Sequence, residues 1–384
     1  MRLKVLKRID WLMIILAAVI LVFGMISISS AVSPASSSEV SLFELAKLAN
    51  TEYSSLQLVY FGAGAVIIAV LLFIDYSNIG EFSEIIYWVS VALLAAVALF
   101  GSEINGTAGW FKIAGRGFQP AEFCKIAIII VIAKETAKVT QDKETGLDTV
   151  KEIWPVLWRF MIPFVLIMIQ PDWGSAFVYF FITAGIMFMG RLGWKKILVF
   201  LLLIAVIVPL LWFFVMDDWQ KARIEVFLYP ELDPMGNGLQ SMRARSVIEA
   251  GGLLGKGFFS PDLLTQQSNY LPEEHTDFIF ASMVESCGFI GGLILILLYV
   301  FLILRIFRLA IRAKDDFGMY ISCGVGFMLI FHIVENIGMN IGLLPITGVP
   351  LPLFSYGGSN MITTMAGLGL VMGVDLRRQS WDLL

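Results

Sequence analysis

Ten stretches of mostly apolar residues, each close to the length of a membrane-crossing helix, divide this chain. They fall at about 11–31, 57–75, 84–101, 121–135, 156–171, 174–190, 196–216, 277–304, 318–343 and 357–375. A bilayer core is crossed by about 20 apolar residues in a helix, because no water is present there to satisfy exposed backbone groups. The expected fold is therefore an all-α integral membrane protein of about ten transmembrane helices, forming one polytopic domain over 1–384. The first stretch is longer than a signal-peptide core and no small-residue cleavage site follows it, so it reads as a span. Composition agrees: 58% of the 384 residues are hydrophobic, 15% are charged, and mean hydropathy is +0.83. A net charge of −4 argues against a nucleic-acid partner, which calls for a basic face. Three scattered cysteines and two histidines leave no disulfide framework and no paired-Cys metal motif.

Lys and Arg set the orientation, since they accumulate on the cytoplasmic side. With the N-terminus inside, 18 of the 27 basic residues fall on the cytoplasmic side. Five of the other nine lie in the one large extracellular loop, 217–276, where the rule is weakest. An even number of spans returns the C-terminus to the cytoplasm. No internal repeat and no second pair of broken helices is visible, as an inverted-repeat transporter would require.

The unusual residues then collect on the outer face. The loop after the third span reads GSEINGTAGWFKIAGRGFQPAEFCK, and the corner between spans five and six reads QPDWGS. The large loop contains NGLQSMRARSVIEAGGLLGKGF and ends in NYLPEEHTDFIF; the last corner reads NIGLLPITGVPLPLFSYGGSN. Each has an ordinary reading. Gly and Pro at helix ends are turn chemistry. Glu122 and Lys125, three apart, suit a structural ion pair. Asp172 and Asp277 each precede a span and suit N-caps. His332 and Glu335, also three apart, could satisfy each other within the ninth span, and Glu285 lies deeper than a carboxylate normally does. Taken together, Glu122, Asp172, Asp277 and Lys125 converge at one membrane boundary beside glycine-rich corners, flanked by Arg116, Arg243 and Arg245. Such a site holds acid–base groups and cations able to grip a phosphate. It suits a ligand with an anionic head and a lipid tail.

At these residues the chain resembles the SEDS family of shape, elongation, division and sporulation proteins (RodA and FtsW). QPAEFCK is similar to the family's Gln-Pro-Ser-Glu-Phe-x-Lys, QPDWGS to its Gln-Pro-Asp-x-Gly-Thr, and EEHTDFIF to its His-Thr-Asp-Phe-Ile-Phe segment. Asn336 to Ser359, with Pro345, Gly348 and PLPLFSYGGS, follows its C-terminal signature. The chain departs at Ala121, where Ser is usual, at Gly109 before Trp110, at Ser286 after Glu285, and at Asn360 after GGS.

The resemblance implies peptidoglycan glycosyltransferase activity, in which lipid II adds to an undecaprenyl-pyrophosphate-linked glycan for cell elongation and shape. It implies Asp277 as the catalytic base. Lys125, Arg243, Arg245 and Arg116 are the candidates to hold the pyrophosphate, with Glu122 orienting Lys125. Asp172 would position the acceptor sugar or join Glu122 in holding a divalent cation, Mg or Mn. His275, Ser355, Gly357 and Gly358 complete the expected substrate contacts. The implied partner is a class B penicillin-binding protein in the same plasma membrane, and the short N-terminal tail points to the RodA branch. Two other functions stay open: a flippase moving lipid II across the bilayer, which would bind the head group in the same charged cavity, and a non-catalytic scaffold recruiting a transpeptidase, for which Asp277 would be dispensable and the lipid-facing helices essential.

Overall fold

The computed structural model describes residues 9–32, 52–104, 107–113, 116–141, 146–147, 149–193, 196, 221, 225–233, 235–266 and 270–378. Nine of the ten apolar stretches are helices there, and the stretch at 196–216 lies almost wholly outside the described residues. In chain order the helices are α1 (Trp11–Val32), α2 (Glu52–Phe73), the short α3 (Tyr76–Glu81) and α4 (Ser83–Phe100). There follow α5 (Pro120–Thr140), α6 (Val150–Ile169), α7 (Trp173–Met189), α8 (Asn237–Gly251), α9 (Ile279–Ile311), α10 (Asp316–Asn340) and α11 (Gly358–Leu376). Among the described residues six helices, α1, α2, α4, α6, α9 and α10, are long and apolar enough to cross a membrane, and α7 is a shorter apolar helix.

Local chemistry sets the helix starts. Pro120 opens α5, where its missing N–H and fixed φ fit the first turn. Thr149 and Glu152 form a reciprocal capping box on α6. Asp315 caps α10, accepting from the Gly318 N–H at 2.8 Å. Helix α10 is the hub: it packs against α5, α7, α8, α9 and α11, and both faces are apolar and buried along most of its length. The most extensive helix pair is α2 with α11.

Two features were not expected. The fold is not purely helical: the loop after α4 forms a three-stranded antiparallel sheet, β1 (Ser102–Ile104), β2 (Thr107–Ile113) and β3 (Arg116–Phe118), in the order β1-β2-β3. Phe111 pairs with Phe118, and Ser102 with Trp110. The Asn105–Gly106 dipeptide between β1 and β2 is a hairpin signal, overlooked because the stretch is glycine-rich and follows an apolar helix.

The second feature lies in the large loop. Its residues 252–257 insert into a break in α9, where Gly288 adopts φ +68. The backbone groups that the break frees are taken up by the inserted segment. Lys256 N donates to Glu285 O at 3.0 Å and Gly257 N to Ser286 O at 2.9 Å. Phe289 N donates to Gly252 O at 2.9 Å. A Cβ on Gly288 would lie 2.4 Å from Leu253 O and Gly255 N, so close approach and positive φ both require glycine.

Candidate active site

The start of α5, the start of α7, the start of α9, the end of α10 and the start of α11 meet at one end of the bundle. Their connections define two adjoining clusters.

The first is centred on α5. Lys125 Nζ lies 2.6 Å from Glu122 Oε1, so the expected ion pair is formed. Both side chains are nevertheless sealed, at 1% and 5% exposure. Lys125 also lies 2.9 Å from His332 Nε2 on α10. Glu122 Oε2 accepts from Asn360 Nδ2 at 3.3 Å, which ties α5 to the first turn of α11. Asp172 caps α7 as anticipated, its Oδ1 accepting from the Ser175 N–H at 3.0 Å. Its Oδ2 accepts from Gln119 Nε2 at 2.8 Å. Burial pushes the Asp172 carboxyl above the usual range; Ser175's hydrogen bonds and the Lys125 charge oppose this.

The second cluster is centred on Asp277, which lies two residues ahead of α9 and outside the span. Asp277 does not cap the helix: Phe278 occupies that position, with no side-chain cap. Its backbone carbonyl is held from α10 by Asn336 Nδ2 at 3.0 Å and Asn340 Nδ2 at 2.9 Å. Asn336 Nδ2 also donates to Val349 O at 2.9 Å, fixing the corner that runs past Asp277. There Gly348 has φ +72, and a Cβ on it would sit 3.4 Å from Asp277 Oδ2. The same corner touches α7 beside Asp172, since a Cβ on Gly174 would meet Val349 and Thr347. The same corner therefore borders both acids' surroundings.

Among the described residues no cation pairs with the Asp277 carboxylate. Burial and the neighbouring Glu273 charge raise it to about 7, against a hydrogen bond from Thr276. The adjacent Glu274 is pushed up to about 8, by burial first and Glu285 second, while burial lowers His275.

The remaining candidates are placed as follows. Ser355 is structural: its hydroxyl donates to Thr276 O at 2.6 Å and accepts from the Leu351 N–H at 2.8 Å. His275 accepts at its backbone carbonyl from the Tyr356 N–H at 3.0 Å, and its ring packs 4.7 Å from that of Tyr53. Gly357 N donates to Gln57 Oε1 at 3.3 Å, and Gly358 packs on the Tyr60 ring. Arg243 donates to Tyr270 O at 2.7 Å and sits 5.2 Å over that ring. Arg245 donates to Gly342 O at 3.1 Å, in the chain leading into the corner, and its buried Nε has no protein partner among the described residues. Arg116 begins β3.

Three expectations change. Lys125 was expected to touch the ligand; it is enclosed behind Glu122. His332 and Glu335 do not satisfy each other: His332 meets Lys125, and Glu335 Oε1 accepts from Thr347 Oγ1 at 2.8 Å. Glu285 is fully buried and bound by Lys256 Nζ at 2.8 Å, Leu264 N at 2.6 Å and both Thr265 donors. It clamps the inserted loop. For the expected divalent cation, all four oxygens of Glu122 and Asp172 already have protein partners, the Lys125 ammonium among them. No group of three or more potential ligands occurs among the described residues. In this arrangement the pair does not fit a metal site.

Sequence reasoning missed Asn336, Asn340, Gln57 and Gln119 as site-builders. The signal was present: amides within apolar spans are costly unless partnered, and Asn336 and Asn340 share one face at i, i+4.

The family described as cell cycle protein, FtsW/RodA/SpoVE, matches residues 10–380. The peptidoglycan glycosyltransferase MrdB of Escherichia coli K12 is 36% identical over 316 residues, 82% of this chain and 84% of MrdB. A probable peptidoglycan glycosyltransferase FtsW of Hydrogenovibrio crunogenus is 32% identical over 85% of this chain and 82% of its own. Among solved structures, a chain of a peptidoglycan synthase complex coordinating polymerisation and crosslinking superposes with TM-score 0.79 at 30% identity. It covers 97% of this chain and 99% of that one. The rod shape determining protein RodA of Thermus thermophilus gives 0.67 at 28% identity, covering 96% and 97%.

Proposed function

From the premise that the chain belongs to the FtsW/RodA/SpoVE family, and is a peptidoglycan glycosyltransferase of the membrane, we propose that it polymerises lipid II using Asp277 as general base. The acceptor's GlcNAc 4-hydroxyl attacks the anomeric carbon of the donor MurNAc. The hydroxyl proton passes to the Asp277 carboxylate, the new β-1,4 bond forms with inversion, and the C–O bond to pyrophosphate breaks with its electrons going to the phosphate oxygen.

The observation that carries this reading is the state of Asp277: backbone clamped from two amides, carboxylate with no cation paired to it among the described residues, and proton affinity raised to about 7. A base works best with a pKa near the working pH and a fixed position. Arg245 and Arg243 are the cations left to meet charge developing on the leaving group. The helix starts of α5, α7, α9 and α11 turn their positive dipole ends to the same region. Lys125 acts from behind, holding Glu122 and, through Asn360, the glycine corner. The divalent cation finds no open oxygen at Glu122 or Asp172, and no step is assigned to it.

The face with Asp277 is read as external and both termini as cytoplasmic, supported by the distribution of Lys and Arg. A class B penicillin-binding protein is the proposed partner, in line with the synthase-complex relative. The elongation branch is supported by the identity to MrdB.

Purified protein in liposomes with fluorescent lipid II tests the function. Polymer formation without added enzymes is expected. Head-group translocation with no polymer would establish the flippase instead.

A further inference from the structure

The Asp277 cluster and the α5 cluster meet along one face of α10. His332 lies on α10 one turn before Asn336, on the same face, and Asn336 is one of the two amides that hold Asp277. From His332 the contacts continue to Lys125 at 2.9 Å, to Glu122 at 2.6 Å and to Asn360 at 3.3 Å. Buried polar contacts therefore run from His332 through Lys125 and Glu122 to the glycine corner of α11, and His332 shares a face of α10 with the amide that holds the Asp277 backbone.

The protonation pattern along these contacts follows from their donors. A lysine ammonium has only hydrogens to offer, so Nε2 of His332 is the acceptor and Nδ1 carries the imidazole proton. Nδ1 is buried and has no partner among the described residues. A buried N–H left unpaired is unfavourable, and a histidine kept there at that expense points to a functional requirement for its other nitrogen. That nitrogen gives Lys125 a second acceptor besides Glu122, fixing the direction of the ammonium.

We propose that His332 is a positioning residue for the glycosyl transfer: through Lys125 and Glu122 it sets the register of the α11 corner against Asp277. The inference rests on the reading of Asp277 as base. It predicts a change in kcat with little change in KM, because His332 touches neither sugar nor pyrophosphate.

The test is lipid II polymerisation by purified His332→Phe, His332→Gln and His332→Asn, with thermal unfolding of each. Phe keeps the ring and loses the acceptor; its kcat is expected to fall tenfold or more with KM within twofold. Gln carries an amide oxygen able to reach Lys125 and is expected to restore most of the rate. Asn is polar but short and is expected to remain impaired, which keeps the comparison available should the Phe variant not fold. In a Lys125→Met background, replacing His332 by Phe is expected to have no further effect. Phe within twofold of wild type would overturn the proposal, as would Gln no better than Asn at equal thermal stability. If wild type makes no polymer, the functional reading itself fails. If wild type is active, Asp277→Asn is not, and the His332 series is flat, only this inference fails.

Discussion

Asp277 and Glu285 stand eight residues apart around the start of α9, and their surroundings differ in kind. Glu285 has a lysine on one oxygen, two backbone N–H groups and a hydroxyl. Its charge is neutralised and its hydrogen-bonding capacity is taken up by the loop it holds. Asp277 has its backbone held and its carboxylate left to Thr276, with Glu273 adding a second negative charge nearby. One carboxylate is consumed by structure and the other is held ready for a proton. Depth in an apolar chain is therefore a poor guide to chemistry; what counts is whether the oxygens already have partners.

The largest effect expected from this contrast is at Asp277. Asp277→Asn keeps size and packing and removes the base, so polymerisation should fall by about 10²–10⁴-fold. Its stability should move the other way. The folded pKa of Asp277 lies above its unfolded value, so the fold favours the protonated form, and that contribution disappears as pH rises from about 4 to about 7. The Asn variant should match wild type in thermal unfolding below about pH 4, and its advantage should grow from there and level off above about pH 7. A large loss of stability at pH 8 would place Asp277 with Glu285.

Glu285→Gln should give the mirror result. Leaving Lys256 without its buried partner is expected to cost about 3 kcal/mol, near the low end for such pairs because Lys256 is 24% exposed. The loss should appear as a lower melting temperature and as faster proteolysis within 252–266, with activity falling only as folded protein is lost. Unchanged stability with lost turnover would reverse the assignment.

A smaller effect sharpens the comparison on the phosphate side. Gly342 has φ +74, and a Cβ there would lie 2.1 Å from the Arg245 guanidinium. Gly342→Ala adds strain of about 1 kcal/mol and pushes Arg245 aside. Polymerisation should drop severalfold, chiefly through KM, and Arg245→Lys should show a similar change. Full activity in both variants would remove Arg245 from the pyrophosphate role.

Much of this was legible before any coordinates. The spans follow from runs of apolar residues that can satisfy their backbone only as helices. Asp172 as a cap and Glu122 with Lys125 as a pair follow from local spacing. Other features depended on contacts distant in sequence. Nothing near Glu285 announces Lys256 and Thr265, because a loop returning about 20–30 residues earlier in the chain supplies them. His332 was paired with Glu335 by spacing alone; the lysine of another helix outcompetes it. The small sheet was masked by its glycines, although the Asn105–Gly106 dipeptide is a hairpin signal in the sequence.

The central claim is that Asp277 is the base, held poised near neutrality. The most direct measurement is the initial rate of lipid II polymerisation by the purified protein across pH 5.5 to 8.5 at low substrate concentration. The account predicts a rate that rises about tenfold per pH unit in the acid limb and levels near pH 7, with the acid limb absent from the residual activity of Asp277→Asn. A wild-type profile already level at pH 5.5, or an acid limb that persists in the Asn variant, would contradict it.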